Sequence, residues 1–413
     1  MAAGEATRLV YFAPEFTETS TIKRVREFLD AGIETVVLGF ERGRYNRNHR
    51  PEWPHYSLGR THDRRYASRL FALLIAIPLL IRLRVVLKGA HVFYARNIDQ
   101  LVLSLVARAL FNRTTPIVYE ILDIQPLFTG RGLPSRVVRW VEKRCLRFVE
   151  LLVVSSPAFH RSFYSTVQGY RGNWLLLENK LHGSCLVRSP TDVSSRLTPA
   201  RRPWVVGYFG LIRGKATLDL IERIAARLRG RVEFHFRGIL TTIDRRRFQE
   251  TLMRNSNILY GGEYANPGDL ATLYRGVDFA WALDLENVDA NSRWLMPCRF
   301  YEAGAFGVPC LAAADFEVGK RINELGIGWT FGEPFEDSIV QFFLEMSQEE
   351  YEQKRRRLHT LASETFVVTS GDQRLGEEIK SLLLRHRDFD VEANRSLRKP
   401  LGSESARIAA PRA

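Results

Sequence analysis

Two trains of alternating strand-like and helix-like segments constrain this 413-residue chain more than any other feature of its sequence. In the first train, RLVYFA (8–13), ETVVLGF (34–40), AHVFYAR (90–96), PIVYEIL (116–122), ELLVVSS (150–156) and GNWLLLEN (172–179) read as strands. Helical patterns fall between them, at about 19–31, 98–111 and 134–148. Most of these strands are short continuous apolar runs, the pattern of strands covered on both faces of a parallel sheet. Residues 183–203 interrupt the alternation with SPTDVSSRLTPARRP, which reads as an interdomain linker. The alternation then restarts with WVVGYFG (204–210), VEFHFRG (232–238), ILYGGEY (258–264), VDFAWAL (277–283), VPCLAA (308–313) and GWTF (328–331). Helices are expected between them at 216–229, 244–255, 267–275, 297–306 and 317–325. The chain is therefore expected to be α/β, with two tandem Rossmann-like, doubly wound domains at 1–182 and 204–384. The last helices of the second domain are placed to pack back on the first. The polar tail from Arg385 to Ala413 is expected to be disordered. Ligands of such sheets bind outside the carboxyl ends of the strands, so the cleft between the domains is the expected site.

Charge and apolar patterning narrow the partners. Residues 1–200 hold 29 Lys+Arg against 16 Asp+Glu, and the remainder 31 against 30, so the first half carries nearly all of the +14 net charge. Such a half calls for an anionic partner. An apolar run, Leu70 to Ile81, is 12 residues long with Pro78 inside it. A spanning helix needs roughly 20. Arg60, Arg64, Arg65 and Arg69 precede the run, and Arg82, Arg84 and Lys88 follow it. It reads either as a helix lying in a membrane interface or as a buried helix of the α/β domain. The four cysteines are scattered with no CxxC spacing, which argues against a disulfide framework and a zinc ribbon and fits a reducing compartment. Met1 to Arg8 lead straight into a strand, so no signal peptide is expected. No RNP-type motif or helix-turn-helix accompanies the basic half, and no GxGxxG follows a strand. Nucleic-acid binding and dinucleotide chemistry are disfavoured.

The chemistry-bearing residues follow strands of the second train. GYFGLIRGKATLDLI places Gly210, Arg213, Gly214 and Lys215 between a strand and a helix start. Backbone N–H groups, the helix dipole and two cations there suit a phosphate; the plainer alternative is a solvated Arg and Lys. FRGIL ends a strand with Arg237 and Gly238, where a base or phosphate fits. In MPCRFYEAGAFGVPCLAA, Arg299 and Glu302 lie three apart on one helix face, a spacing that also allows an ordinary ion pair.

This last stretch resembles the donor-site signature of GT-B glycosyltransferases, through Pro297, Arg299, Glu302, Gly307 and Pro309. GYFGLIRGKATLDLI resembles that family's diphosphate-holding turn, and YGGEYANPGDLATLYRGVDFAWAL its segment around the base. HVFYARN, PIVYEILDI, VEKRCLRFVELLVVSS and LLLENK follow in the family's order. The likeness spans roughly residues 8–335 and runs toward succinoglycan-type enzymes that build bacterial exopolysaccharide on a lipid carrier.

The resemblance implies a hexosyltransferase of the GT-B fold, moving a sugar from a nucleotide-sugar donor to a polyprenyl-diphosphate-linked or other saccharide acceptor. Glu302 is implied to bind the donor ribose. Arg213 and Lys215 are implied to neutralise the diphosphate, with Gly210 and Arg237 around the nucleotide, and Arg299 assists or orients Glu302. Glu120 and Asp123 are implied to position or deprotonate the acceptor, or else are buried structural carboxylates. No metal and no cofactor besides the donor is expected. The protein is expected to be cytoplasmic, lying on the inner membrane face through residues 60–88. Two departures stand out: Trp294 where many retaining members carry a second glutamate, and Leu122 where many carry a histidine. Alternatives on the same fold are a nucleotide-sugar epimerase and a glucan synthase-like polymeriser. A nucleic-acid-binding protein is the remote alternative.

Overall fold

The computed structural model describes residues 6–41, 50–61, 66–183, 203–361, 363–368 and 373–397. The interval read as a linker lies, except for its end residues, outside them, as do Arg64, Arg65 and residues 398–413.

The first sheet contains β1 (Thr7–Ala13), β2 (Ile33–Glu41), β3 (His55–Arg60), β4 (Val92–Arg96), β5 (Ile117–Ile121), β6 (Leu151–Val154) and β7 (Trp174–Leu176). It is parallel throughout, in the order β3-β2-β1-β4-β5-β6-β7. Its helices are α1 (Thr19–Asp30), α2 (Tyr66–Arg82), α3 (Arg84–Lys88), α4 (Asn97–Phe111), α5 (Pro126–Thr129) and α6 (Leu133–Cys145), followed by a π-helical turn at Phe159–Tyr164.

After the short strand β8 (Leu181–His182) comes the second sheet. Its strands are β9 (Trp204–Ile212), β10 (Val232–Leu240), β11 (Ile258–Tyr260), β12 (Phe279–Trp281), β13 (Cys310–Ala313) and β14 (Gly328–Phe331). The order is β11-β10-β9-β12-β13-β14, again all parallel. Its helices are α7 (Lys215–Arg227), α8 (Arg245–Arg254), α9 (Leu270–Arg275), α10 (Asn291–Trp294), α11 (Cys298–Ala305), α12 (Glu317–Leu325), α13 (Phe335–Glu345) and α14 (Gln348–Thr360). Both sheets reverse their winding once, between β1 and β4 and between β9 and β12. Those crevices are where such sheets take ligands.

Phe12, Phe93, Leu101 and Leu152 belong to the apolar layer on one face of the first sheet, and Tyr11, Val25, Phe28 and Tyr94 to that on the other. Period-two alternation sends neighbouring residues of one strand to opposite layers. Tyr119 of β5 faces α6, while Glu120 beside it faces α1. On the α6 side, Glu142 is fully buried and accepts from the Tyr119 hydroxyl (2.9 Å), the Tyr164 hydroxyl (3.0 Å) and the Gln168 amide. Burial pushes its carboxyl up to about 7 against those three donors.

Three elements differ from the sequence expectation. HYSLGR forms an edge strand, β3, in a stretch where the sequence pattern marks no strand, because one-sided cover leaves only Leu58 buried and mutes the apolar signal. A proline in a helical run favours a kink or a helix end, yet Pro78 lies inside α2 and does not end it. The region after Arg385 is not an unstructured tail from its start. Helix α15 (Arg374–Leu397) runs through it, anchored on the first domain by Leu375, Ile379 and Leu382 in the layer with Leu9 and Val25. The Lys380 ammonium donates to the Ala31 carbonyl at 2.8 Å. The strand β15 (Val367–Val368), just before α15, pairs with β8. Among the described residues, no helix is long and apolar enough to cross a membrane.

Candidate active site

The open ends of β9 and β10 approach so closely that glycine is required. Gly210 and Gly238 are register partners, both with positive φ (107° and 134°). A Cβ on Gly238 would stand 1.8 Å from the Gly210 carbonyl oxygen. A Cβ on Gly210 would meet the Arg299 guanidinium and the Tyr264 hydroxyl at 4.0 Å. Bare backbone therefore faces Arg299 at the mouth of β9, the arrangement needed for a ligand to approach the main chain.

Helix α11 carries Arg299 and Glu302 in different directions. Arg299 stacks over the Tyr208 ring at 4.4 Å and donates to the Trp281 carbonyl at 3.1 Å. Glu302, only 8% exposed, accepts from the Tyr274 hydroxyl at 2.9 Å and the Asn266 amide at 3.4 Å. No ion pair joins the two, so the surface-pair reading of this stretch falls away. Burial pushes the Glu302 carboxyl up, opposed by Tyr274, Arg299, Asn266 and Lys23. A buried carboxylate braced by two neutral donors has lone pairs left for ligand hydroxyls.

Asp123 follows β5 and reaches the cleft from the first domain. The residue is exposed to the cleft, with protein packed around the carboxyl. That enclosure pushes its carboxyl up, against the Arg213 charge and a 3.2 Å hydrogen bond from the Asn291 amide. Arg213 enters from the second domain but is not a free cation. Asp284 grips it at 2.8 and 2.6 Å, and Glu286 lies at 3.4 Å. With Asp123 also near, carboxylates outnumber it, an environment suited to sugar hydroxyls and poorly suited to a diphosphate.

Three expected residues sit elsewhere. Glu120 is fully buried and locked: Oε1 accepts from Arg24 (3.0 and 2.6 Å) and Oε2 from Arg96 (2.8 Å). Burial alone would raise its carboxyl, but the two guanidinium groups overrule that and hold it below the ordinary value. It ties α1 to the sheet and is a structural carboxylate, not an acceptor base. Lys215 is exposed and lines, with Asp219, Glu222 and Arg247, a groove on α7 and α8. The Arg237 guanidinium donates to the Gly262 and Glu263 carbonyls (3.1 and 2.9 Å), so it braces the loop after β11.

Sequence reading missed Lys23, Tyr274 and Asn291. Lys23, on α1, contributes positive charge near Glu302 from across the cleft. Its ammonium also donates to the Lys180 carbonyl, and burial pulls its pKa down. Among the described residues, no group of three or more His, Cys, Asp or Glu side chains is arranged to hold a metal ion.

Two parallel Rossmann-like sheets, with carboxylates and an arginine converging from the open strand ends, define the GT-B glycosyltransferase fold. Solved structures agree. A sucrose-phosphate synthase from Thermosynechococcus elongatus superposes with a TM-score of 0.64 at 12% identity, covering 94% of this chain and 100% of that one. Anabaena Alr3699/HepE, solved with UDP-glucose, superposes with a TM-score of 0.61 at 15% identity, covering 93% and 99%. No family model matches the chain. It is 30% identical over 322 residues to the succinoglycan biosynthesis protein ExoL of Rhizobium meliloti, covering 78% of this chain and 80% of that protein. The chain belongs to the ExoL family.

Proposed function

We propose that the protein transfers a sugar from a nucleotide-sugar donor to a saccharide acceptor in bacterial exopolysaccharide assembly. The carrying observation is Glu302, a buried, hydroxyl-braced carboxylate beside Arg299 and the bare Gly210 backbone. Glu302 accepts hydrogen bonds from the donor ribose. Because these bonds favour the ionised carboxylate, donor binding releases a proton where Glu302 is still protonated. Arg299 meets the diphosphate, whose charge grows as it leaves, so its attraction is largest in the transition state. Cations of the protein take that role without a metal. Asp123 removes the acceptor hydroxyl proton, and Asp284 and Glu286 face sugar hydroxyls. Support for the donor class comes from the site chemistry and from HepE, solved with UDP-glucose; support for the pathway comes from ExoL.

Glu302→Ala is expected to abolish transfer while the folded protein persists, checked by turnover of labelled nucleotide sugars and by circular dichroism. Undiminished turnover would contradict the donor site.

The acceptor is proposed to be polyprenyl-diphosphate-linked, met at an anionic membrane surface on the cytoplasmic side. Helix α2 has two apolar faces. Ala72, Ala76 and Leu80 are buried, while Phe71 (64% exposed), Leu74 (60%) and Ile81 (51%) point outward. Exposed Val85 of α3 and exposed Arg82, Arg84 and Lys88 continue that face. Apolar residues seated among cations match a helix resting in a headgroup layer. Arg82, Arg84 and Lys88 changed together to Ser should release the protein from phosphatidylglycerol vesicles in co-sedimentation, by about 1 kcal/mol per charge. Unchanged sedimentation would remove the membrane from the account.

A further inference from the structure

The segment between β12 and α11 is shared between the two domains' chemistry. It begins with Asp284 and Glu286 on Arg213 and ends at the helix carrying Arg299 and Glu302. Between them, α10 docks on the first domain. The Asn291 side-chain carbonyl accepts the buried Ile124 N–H at 2.9 Å, and its amide donates to Asp123 Oδ1 at 3.2 Å. A planar side-chain amide offers an acceptor and a donor side by side, and the two contacts together assign its orientation. No other hydrogen bond reaches the Asp123 carboxylate among the described residues, which leaves Oδ2 for an acceptor hydroxyl.

Trp294 secures the docking. Its ring lies against Phe163 of the first domain at 6.4 Å, and its backbone carbonyl accepts from the Ser156 hydroxyl. Leu295 packs into the same layer. Close by, Arg161 pairs with Glu317 at 2.8 Å across the domains. Trp294 thus acts as a wedge between the domains.

We propose that Asn291 is a positioning residue, through which the second domain aims Asp123 at the acceptor whenever α10 is docked, with Trp294 holding α10 in place. This rests on the reading of Asp123 as the acceptor base. Domain closure and base orientation then form one event, and opening the cleft for product release disengages the base.

The pH dependence has a definite sign. Glu18, Asp284 and Cys298 face Asp123 with acidic groups, and Arg213 with a cation. The Asn291 amide favours the ionised form. Removing it moves the Asp123 titration to higher pH, and with it the acidic limb of the kcat profile. Asn291→Ala is therefore expected to lower kcat on the order of 10²-fold, with the donor KM within about twofold. Asn291→Asp, which keeps an acceptor for Ile124 but brings a second carboxylate to Asp123, moves the limb further. A purely structural role for Asn291 would lower the folded fraction and leave the limb in place.

The decisive measurement is the titration of Asp123 itself, by carbon NMR of aspartate-labelled full-length protein, with Asp123→Asn identifying its signal. An upward shift in Asn291→Ala, matched by the kcat limb, is the expected result. An Asp123 titration identical in wild type and Asn291→Ala overturns the positioning role. A shifted titration with an unmoved kcat limb keeps Asn291 as the residue that positions Asp123 and removes Asp123 as the base.

Discussion

Arg299→Ala is expected to slow transfer on the order of 10²–10³-fold, the scale seen when one preorganised charge-stabilising donor is removed. The arginine costs little to organise at the moment of reaction. Tyr208 supports its flat face at 4.4 Å, and the Trp281 carbonyl holds one nitrogen. The effect should fall on kcat more than on KM, because the attraction grows with the charge of the departing diphosphate. Arg299→Lys keeps the charge but loses the planar stack and the fork, so partial activity is expected. Steady-state kinetics with the preferred nucleotide sugar decide the matter. Equal kcat in wild type and Arg299→Ala would place the leaving-group cation elsewhere, with Lys23 next in line.

Glu120→Ala is expected to be the most damaging stability change in the first domain. It would strip both Arg24 and Arg96 of their shared partner, and these are 4% and 2% exposed. Removing one member of a buried ion pair typically costs about 3–5 kcal/mol, because a desolvated charge is left behind. Whole domains have only about 5–15 kcal/mol in hand. Thermal or urea denaturation should show a large drop or loss of the folded state. The linkage sign is fixed. The folded carboxyl lies below its unfolded value, so its contribution is full above the unfolded value and is lost as pH falls through the folded one. Acid should therefore weaken wild type more than a folded variant in which Arg24, Arg96 and Glu120 are all replaced by apolar residues. Full stability in Glu120→Ala would mean that Glu27, already paired with Arg24, the Ser20 contacts of Arg96 and entering water together satisfy both arginines.

The doubly wound sheets were legible in the sequence because parallel strands announce themselves as unbroken apolar runs. WVVGYFG and the LLVV of ELLVVSS lie on β9 and β6. The edge strand β3 was not legible, being covered on too little of its surface to need that composition. The donor carboxylate Glu302 was readable from local spacing, since one helix turn carries it. Arg213, Lys215 and Glu120 show where local reading ends. Their chemical types suit phosphate and proton transfer, but their partners come from 71 residues away for Arg213 and 96 for the Arg24–Glu120 contact. Asn291 carried no signal, because an amide in a loop is common and its two partners lie 167 and 168 residues earlier.

Ligand-induced thermal stabilisation of the full-length protein against UDP-, GDP-, ADP- and dTDP-sugars, repeated with Glu302→Ala, tests the central claim most directly. A ligand that binds only the folded state raises the melting temperature, by an amount equivalent to about 2.7 kcal/mol at a hundred times its Kd. The predicted result is a rise with one nucleotide class, lost in the Glu302 variant. A rise of equal size in both proteins, or none with any nucleotide sugar, would contradict a donor site built on Glu302.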